Sequence, residues 1–102
     1  LYPWDAGTNH IELAARFGTL LRDRGFGSVV ETGARFVIDR RRKHQPTLIS
    51  SQPGEREDRL DWLFYCTDIA VEIGADCLSL WSGTPGDDAP PSTLMNRLAE
   101  LC

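Results

Sequence analysis

From Asn9 to Arg24, apolar residues recur in two interleaved series, Ile11, Ala14, Ala15, Gly18, Leu21 and Leu13, Phe17, Leu20, with Glu12, Arg16, Arg22 and Asp23 between them. This spacing predicts an amphipathic helix. Thr8 or Asn9 is placed to cap its first turn, and Gly25 and Gly27 follow its basic last turn, where a left-handed residue ends a helix. The next stretch, Ser28-Val29-Val30-Glu31-Thr32-Gly33, is short, rich in β-branched residues and closed by glycine, which predicts a buried strand.

Residues Ala34 to Gly54 hold no sustained period. They carry the basic run Arg40-Arg41-Arg42-Lys43-His44, then Pro46 and Ser50-Ser51-Gln52-Pro53-Gly54, the composition of a surface connection. Ordered connections of this length in compact domains tend to be functional. From Glu55 to Ile73 the residues Leu60, Leu63, Phe64, Thr67, Ala70 and Val71 repeat at helical spacing with charges opposite, and Gly74 stops a second helix. A second strand is predicted over Cys77-Leu78-Ser79-Leu80-Trp81-Ser82-Gly83. A loop follows from Thr84 to Pro91, with Asp87-Asp88 as a turn feature, and a third helix is capped by Ser92 and carries Leu94, Leu98 and Leu101.

Strands separated by helices pair in parallel, because a crossover of a dozen or more residues returns the chain in the same direction. Two parallel strands leave both sheet edges open. A (β/α)₈ barrel, about 250 residues long, is the commonest fold that would supply further strands. The expected fold is therefore α/β, a partial (β/α)₈ TIM barrel of about two and a half βα units. Residues 1–102 are expected to form a single domain incomplete at both ends, since the chain starts at Leu1 rather than Met and the last helix runs to Cys102 without a stop signal.

Composition narrows the classes. A hydrophobic fraction of 41% with 25% charged residues is globular and excludes disordered and collagen-like chains. Fifteen acidic against 11 basic side chains leave a net charge of −4, which speaks against bulk attraction to nucleic acid. Cys66, Cys77 and Cys102 are odd in number and widely spaced, neither a disulfide framework nor a zinc set, and predict a reducing, cytoplasmic setting. No apolar run approaches the roughly 20 residues that span a bilayer. The open sheet edges suggest a homo-oligomer or self-association.

In a parallel sheet the site lies at the C-terminal strand ends. If Leu78, Leu80 and Val30 face the helices, then Cys77, Ser79, Trp81, Val29 and Glu31 face the other way, and Glu31 and Trp81 converge at the mouth. Glu31 could accept bonds from sugar hydroxyls, ligate a metal or act as a base; alternatively it pairs with Arg35. Trp81 could stack on a sugar ring or plug the core. Arg35, Lys43 and His44 are candidates for polar or phosphate recognition; alternatively the basic run is a solvated loop neutralised by Asp39, Glu55, Glu57 and Asp58.

The phrases Val29-Val30-Glu31-Thr32-Gly33-Ala34-Arg35-Phe36-Val37-Ile38-Asp39, Arg42-Lys43-His44-Gln45-Pro46-Thr47-Leu48 and Gly74-Ala75-Asp76-Cys77-Leu78-Ser79-Leu80-Trp81-Ser82-Gly83 together resemble the xylose isomerase-like TIM-barrel superfamily, in particular its sugar phosphate isomerases/epimerases. The resemblance covers most of the chain from Arg24 to Leu101. It implies a barrel that binds a divalent metal (Mn²⁺, Mg²⁺, Co²⁺ or Zn²⁺) and moves a proton between adjacent carbons of a ketose, aldose or related polyol. In such proteins the metal ligands (Glu, Asp, His and Glu) and the paired catalytic glutamates stand on strands of the second half, so no metal or catalytic role transfers to a residue of this sequence. The implied partner is a small-molecule sugar or sugar phosphate.

The superfamily also holds endonuclease IV-like enzymes acting on abasic DNA, in which a His-x-Gly pattern stands where this chain has Trp81-Ser82-Gly83. Tryptophan cannot ligate zinc, and the negative charge opposes DNA binding, so this is the alternative reading. A third is a non-catalytic, truncated remnant of the barrel.

Overall fold

The structure, a computed structural model, describes residues 9–101; Thr8, one of the two capping candidates, and Leu1 and Cys102 lie outside them. Helix α1 spans His10–Asp23, strand β1 Val29–Glu31, helix α2 Pro53–Ile73, strand β2 Cys77–Ser79 and helix α3 Pro91–Ala99. The strands form a two-stranded parallel sheet in which Val29, Val30 and Glu31 stand opposite Cys77, Leu78 and Ser79. The chain is thus α/β, with one β1-α2-β2 crossover at its centre.

Local chemistry sets the boundaries. Asn9 caps α1 by accepting the Glu12 N–H at 3.1 Å. Beyond the helix, Gly25 adopts a φ of 68°, and the N–H groups of Gly25 and Phe26 close on the Arg22 and Leu21 carbonyls. Gly74, at φ 72°, ends α2 in the same left-handed region. Ser28 and Asp76 exchange bonds just before the strands: the Asp76 N–H donates to the Ser28 carbonyl, and its carboxylate accepts the Ser28 N–H, each at 2.9 Å. That pair aligns the register at the N-terminal edge of the sheet.

The starts of α2 and α3, the lengths of both strands and two faces differ from the sequence reading. Helix α2 starts at Pro53 rather than Glu55, and α3 starts at Pro91 with Pro90 as its cap, leaving Ser92 inside the first turn. Proline at the first helical position has the right φ and loses no needed donor, so it outcompetes a serine cap one residue later. Each strand is only three residues long. On α2 the buried positions are Arg56, Arg59, Leu63 and Cys66, whereas Phe64 and Val71 are exposed, the latter at 71%. The packed face is therefore rotated from the predicted one and carries two arginines. Leu80, predicted to face the helices, is exposed because it lies beyond the β2 ladder and α3 does not pack on the sheet.

Helices α1 and α2 pack on each other, and α2 also covers both strands. Their approach is closest at Gly18, where any Cβ would collide with the Ile73 backbone. Ala14 and Gly18 are the buried residues of α1, while Leu13, Phe17 and Leu20 of its second apolar series stay exposed.

Candidate ligand site at the strand ends

The C-terminal end of β1 is fixed by Thr32. Its hydroxyl and its N–H both donate to the Ser79 carbonyl, at 2.8 and 3.2 Å, extending the β1-β2 junction by one residue. In return its carbonyl accepts from Arg59 Nη2 at 3.0 Å and Trp62 Nε1 at 2.9 Å. Thr32 is buried, which explains why each of its polar groups is partnered.

Above it the segment from Pro46 to Ser50 is buried despite its polar members. Thr47 donates its N–H to Ser50 Oγ at 2.9 Å, Ser50 Oγ donates to Gln45 Oε1 at 3.4 Å, and Gln45 Nε2 reaches the Thr84 carbonyl at 3.5 Å. Gly83, at φ 106°, lies so close to Thr47 that a Cβ would overlap that side chain. The loops following the two strands are therefore locked together. Arginines hold the outward carbonyls: Arg56 Nη1 donates to Ser50 and Ser51 at 2.9 and 3.2 Å, and Arg97 Nη1 donates to Ile49 at 3.1 Å.

The same locking brings His44 to Trp81. Their rings meet edge to face, with centroids 5.7 Å apart at 86°, and His44 takes a φ of 67°, uncommon for a side chain other than glycine. Trp81 is 45% exposed, so it does not plug the core. Glu31 stands opposite Ser79, two residues before Trp81, and is exposed. Among the described residues Glu31 forms no ion pair with Arg35, whose guanidinium lies over the Phe36 ring at 5.9 Å. Nor does Glu31 bond to His44 or Trp81; it lines instead a cleft of about 540 Å³ between α1, β1 and α2. Lys43 is exposed and, among the described residues, has no salt bridge.

Arg42 is committed elsewhere. It bonds Asp39 through Nε and Glu55 through Nη2, the latter at 2.7 Å, in line with the solvated-loop alternative for this position. The Arg42 bond, then the Arg41 N–H, hold the Asp39 carboxyl below its ordinary value, and the two carboxylates raise Arg42. Beside this pair lies a polar hollow of about 270 Å³ whose walls include Gln45, Ser50, Ser51, Gln52 and Glu55. Asp87 is more than a turn residue: Arg97 donates to both its oxygens, at 3.0 and 2.8 Å, which keeps its carboxyl below the usual range.

Gln45, Thr47, Ser50, Arg56, Arg59 and Thr32 shape this mouth and were not among the predicted site residues. A usable signal was present, since Arg56, Arg59, Leu63 and Cys66 follow one helical stripe and hydroxyl residues flank Leu48-Ile49. Among the described residues no group of three or more His, Cys, Asp or Glu side chains could hold a metal ion, and no helix is long and apolar enough to cross a membrane. Compared with family models, curated proteins and solved structures, the chain matches none.

Proposed function

We propose that this chain forms part of the substrate mouth of a (β/α)₈ barrel of the xylose isomerase-like kind, and that the intact parent is a metal-dependent sugar or sugar-phosphate isomerase/epimerase. The observation that carries the reading is the His44–Trp81 pair beyond the C-terminal strand ends, with the indole half-exposed. An indole face offers the C–H side of a sugar ring a stacking surface, while Gln45, Gln52 and Glu55 offer amide and carboxylate partners for hydroxyls. The barrel is supported by the parallel β1-α2-β2 unit and by Val29, which is exposed on a sheet that among the described residues has two strands.

The divalent metal belongs to the same proposal. The described residues do not form a site for it, and none is assigned to it. What the chain contributes is binding and orientation at the mouth. Saturation-transfer NMR of the 102-residue chain with aldoses, ketoses and their phosphates tests this directly. Ring C–H signals from a sugar that disappear in Trp81→Ala are expected; no sugar signal, or one unchanged by Trp81→Ala, would sink the reading.

A further inference from the structure

Trp62 ties the wall of the cleft between α1, β1 and α2 to the end of β1. Its Nε1 donates to the Thr32 carbonyl at 2.9 Å, so the indole is held at the residue next to Glu31, and both Trp62 and Glu31 line the cleft. With that N–H engaged, what the indole offers a ligand is its ring. Tyr65 extends the aromatic wall, its ring centroid 5.8 Å from that of Trp62 at 36°, and Phe17 of α1 also lines the cleft. Much of the remaining lining is apolar, with Leu13, Val30 and Ile69 in it. The volume of about 540 Å³ falls within the range of small-molecule sites, about 300–1,000 Å³.

Charge decides the class of ligand. Glu31 is the one carboxylate lining the cleft among the described residues; it is exposed, and its side chain forms no ion pair or hydrogen bond among them. Arg59 donates to the same Thr32 carbonyl but does not line the cleft. The Cys66 thiol does line it, but burial pushes that thiol up to about 11, so it stays uncharged near neutrality. A carboxylate without a partner beside aromatic rings attracts a cation twice, through its own charge and through the negative faces of the rings.

We infer that this cleft binds an amphipathic ammonium ion, its apolar body against Leu13, Phe17 and Ile69 and its cationic head at Glu31 and Trp62. The inference does not rest on the sugar reading, since neither His44 nor Trp81 lines this cleft.

The test titrates octylammonium, octanol and octanoate into the 102-residue chain, read by calorimetry and by the Trp62 indole N–H signal. Octylammonium is expected to bind about fivefold to thirtyfold more tightly than octanol, with octanoate weaker than both, and to shift the Trp62 signal. Glu31→Gln, at an exposed position, should bring octylammonium down to the affinity of octanol, whereas Phe17→Ala should weaken the two alike. Equal affinity of octylammonium and octanol for the unaltered chain, or a preference that survives Glu31→Gln, would overturn the proposal. So would a Trp62 signal that moves with protein concentration alone, the mark of a second copy in the cleft.

Discussion

Asp87 and Arg97 are joined by two hydrogen bonds, and the same Arg97 Nη1 that reaches Asp87 Oδ1 also donates to the Ile49 carbonyl. One guanidinium therefore ties the loop after β2 to the loop after β1. Because the bond lowers the Asp87 carboxyl in the folded state, its stabilisation is complete above the ordinary value of 3.8 and is lost as pH falls through the lower folded value. Thermal unfolding of the wild-type chain and Asp87→Asn, followed from neutral into acid, should show a wild-type advantage that closes at the acid end. A gap that stays constant with pH would contradict this assignment.

Gly83→Ala should destabilise by about 2 kcal/mol or more, since the φ of 106° disfavours a side chain and the new Cβ overlaps Thr47. Trimming Thr47 to alanine should not rescue it, because the Thr47 Cβ is itself among the overlapping atoms. Denaturant unfolding of the single and double variants measures both effects.

Gly18→Ala sets two effects against each other. Helix propensity favours alanine by about 1 kcal/mol, but overpacking costs about 1–3 kcal/mol, and the obstacle is the Ile73 backbone, which cannot rotate away. Net destabilisation is expected. A variant more stable than wild type would show that α1 and α2 separate at little cost.

The rotated face of α2 can be read by substitution. Leu63→Ala should cost about 2–5 kcal/mol as a buried truncation, whereas Val71→Lys should stay within about 0.5 kcal/mol. Comparable losses at the two positions would restore the face expected from the apolar spacing.

Much of the backbone course was legible. Gly25 and Gly74 marked helix ends through their left-handed φ, Asn9, one of the two candidates for the cap of α1, caps it, and the helix between two strand-like runs implied parallel pairing. The side chains were harder to read. A pattern of apolar and polar positions sends arginine to solvent, yet Arg56 and Arg59 are buried because backbone carbonyls of the loops need donors there. Asp87 looked like a turn former because its partner, Arg97, is ten residues away on another element. Of the predicted site residues, His44 and Trp81 meet, while Glu31, Arg35 and Lys43 do not join them through any bond or ring contact among the described residues. Such meetings depend on loop geometry, which local spacing does not encode.

Helix α3 has no fully buried residue and is fastened largely by ions: Arg97 to Asp87, and Glu100 to Arg56 at 2.7 Å. Fastenings of that kind weaken in electrolyte, while the α1–α2 contact around Gly18 does not. Raising ionic strength should therefore release α3 in a step of its own, with its amides exchanging hydrogen well before those of α2. Since Arg56 and Arg97 also hold the Ile49, Ser50 and Ser51 carbonyls, the mouth of the sheet would loosen in the same step, and salt would act on the site before it acts on the fold.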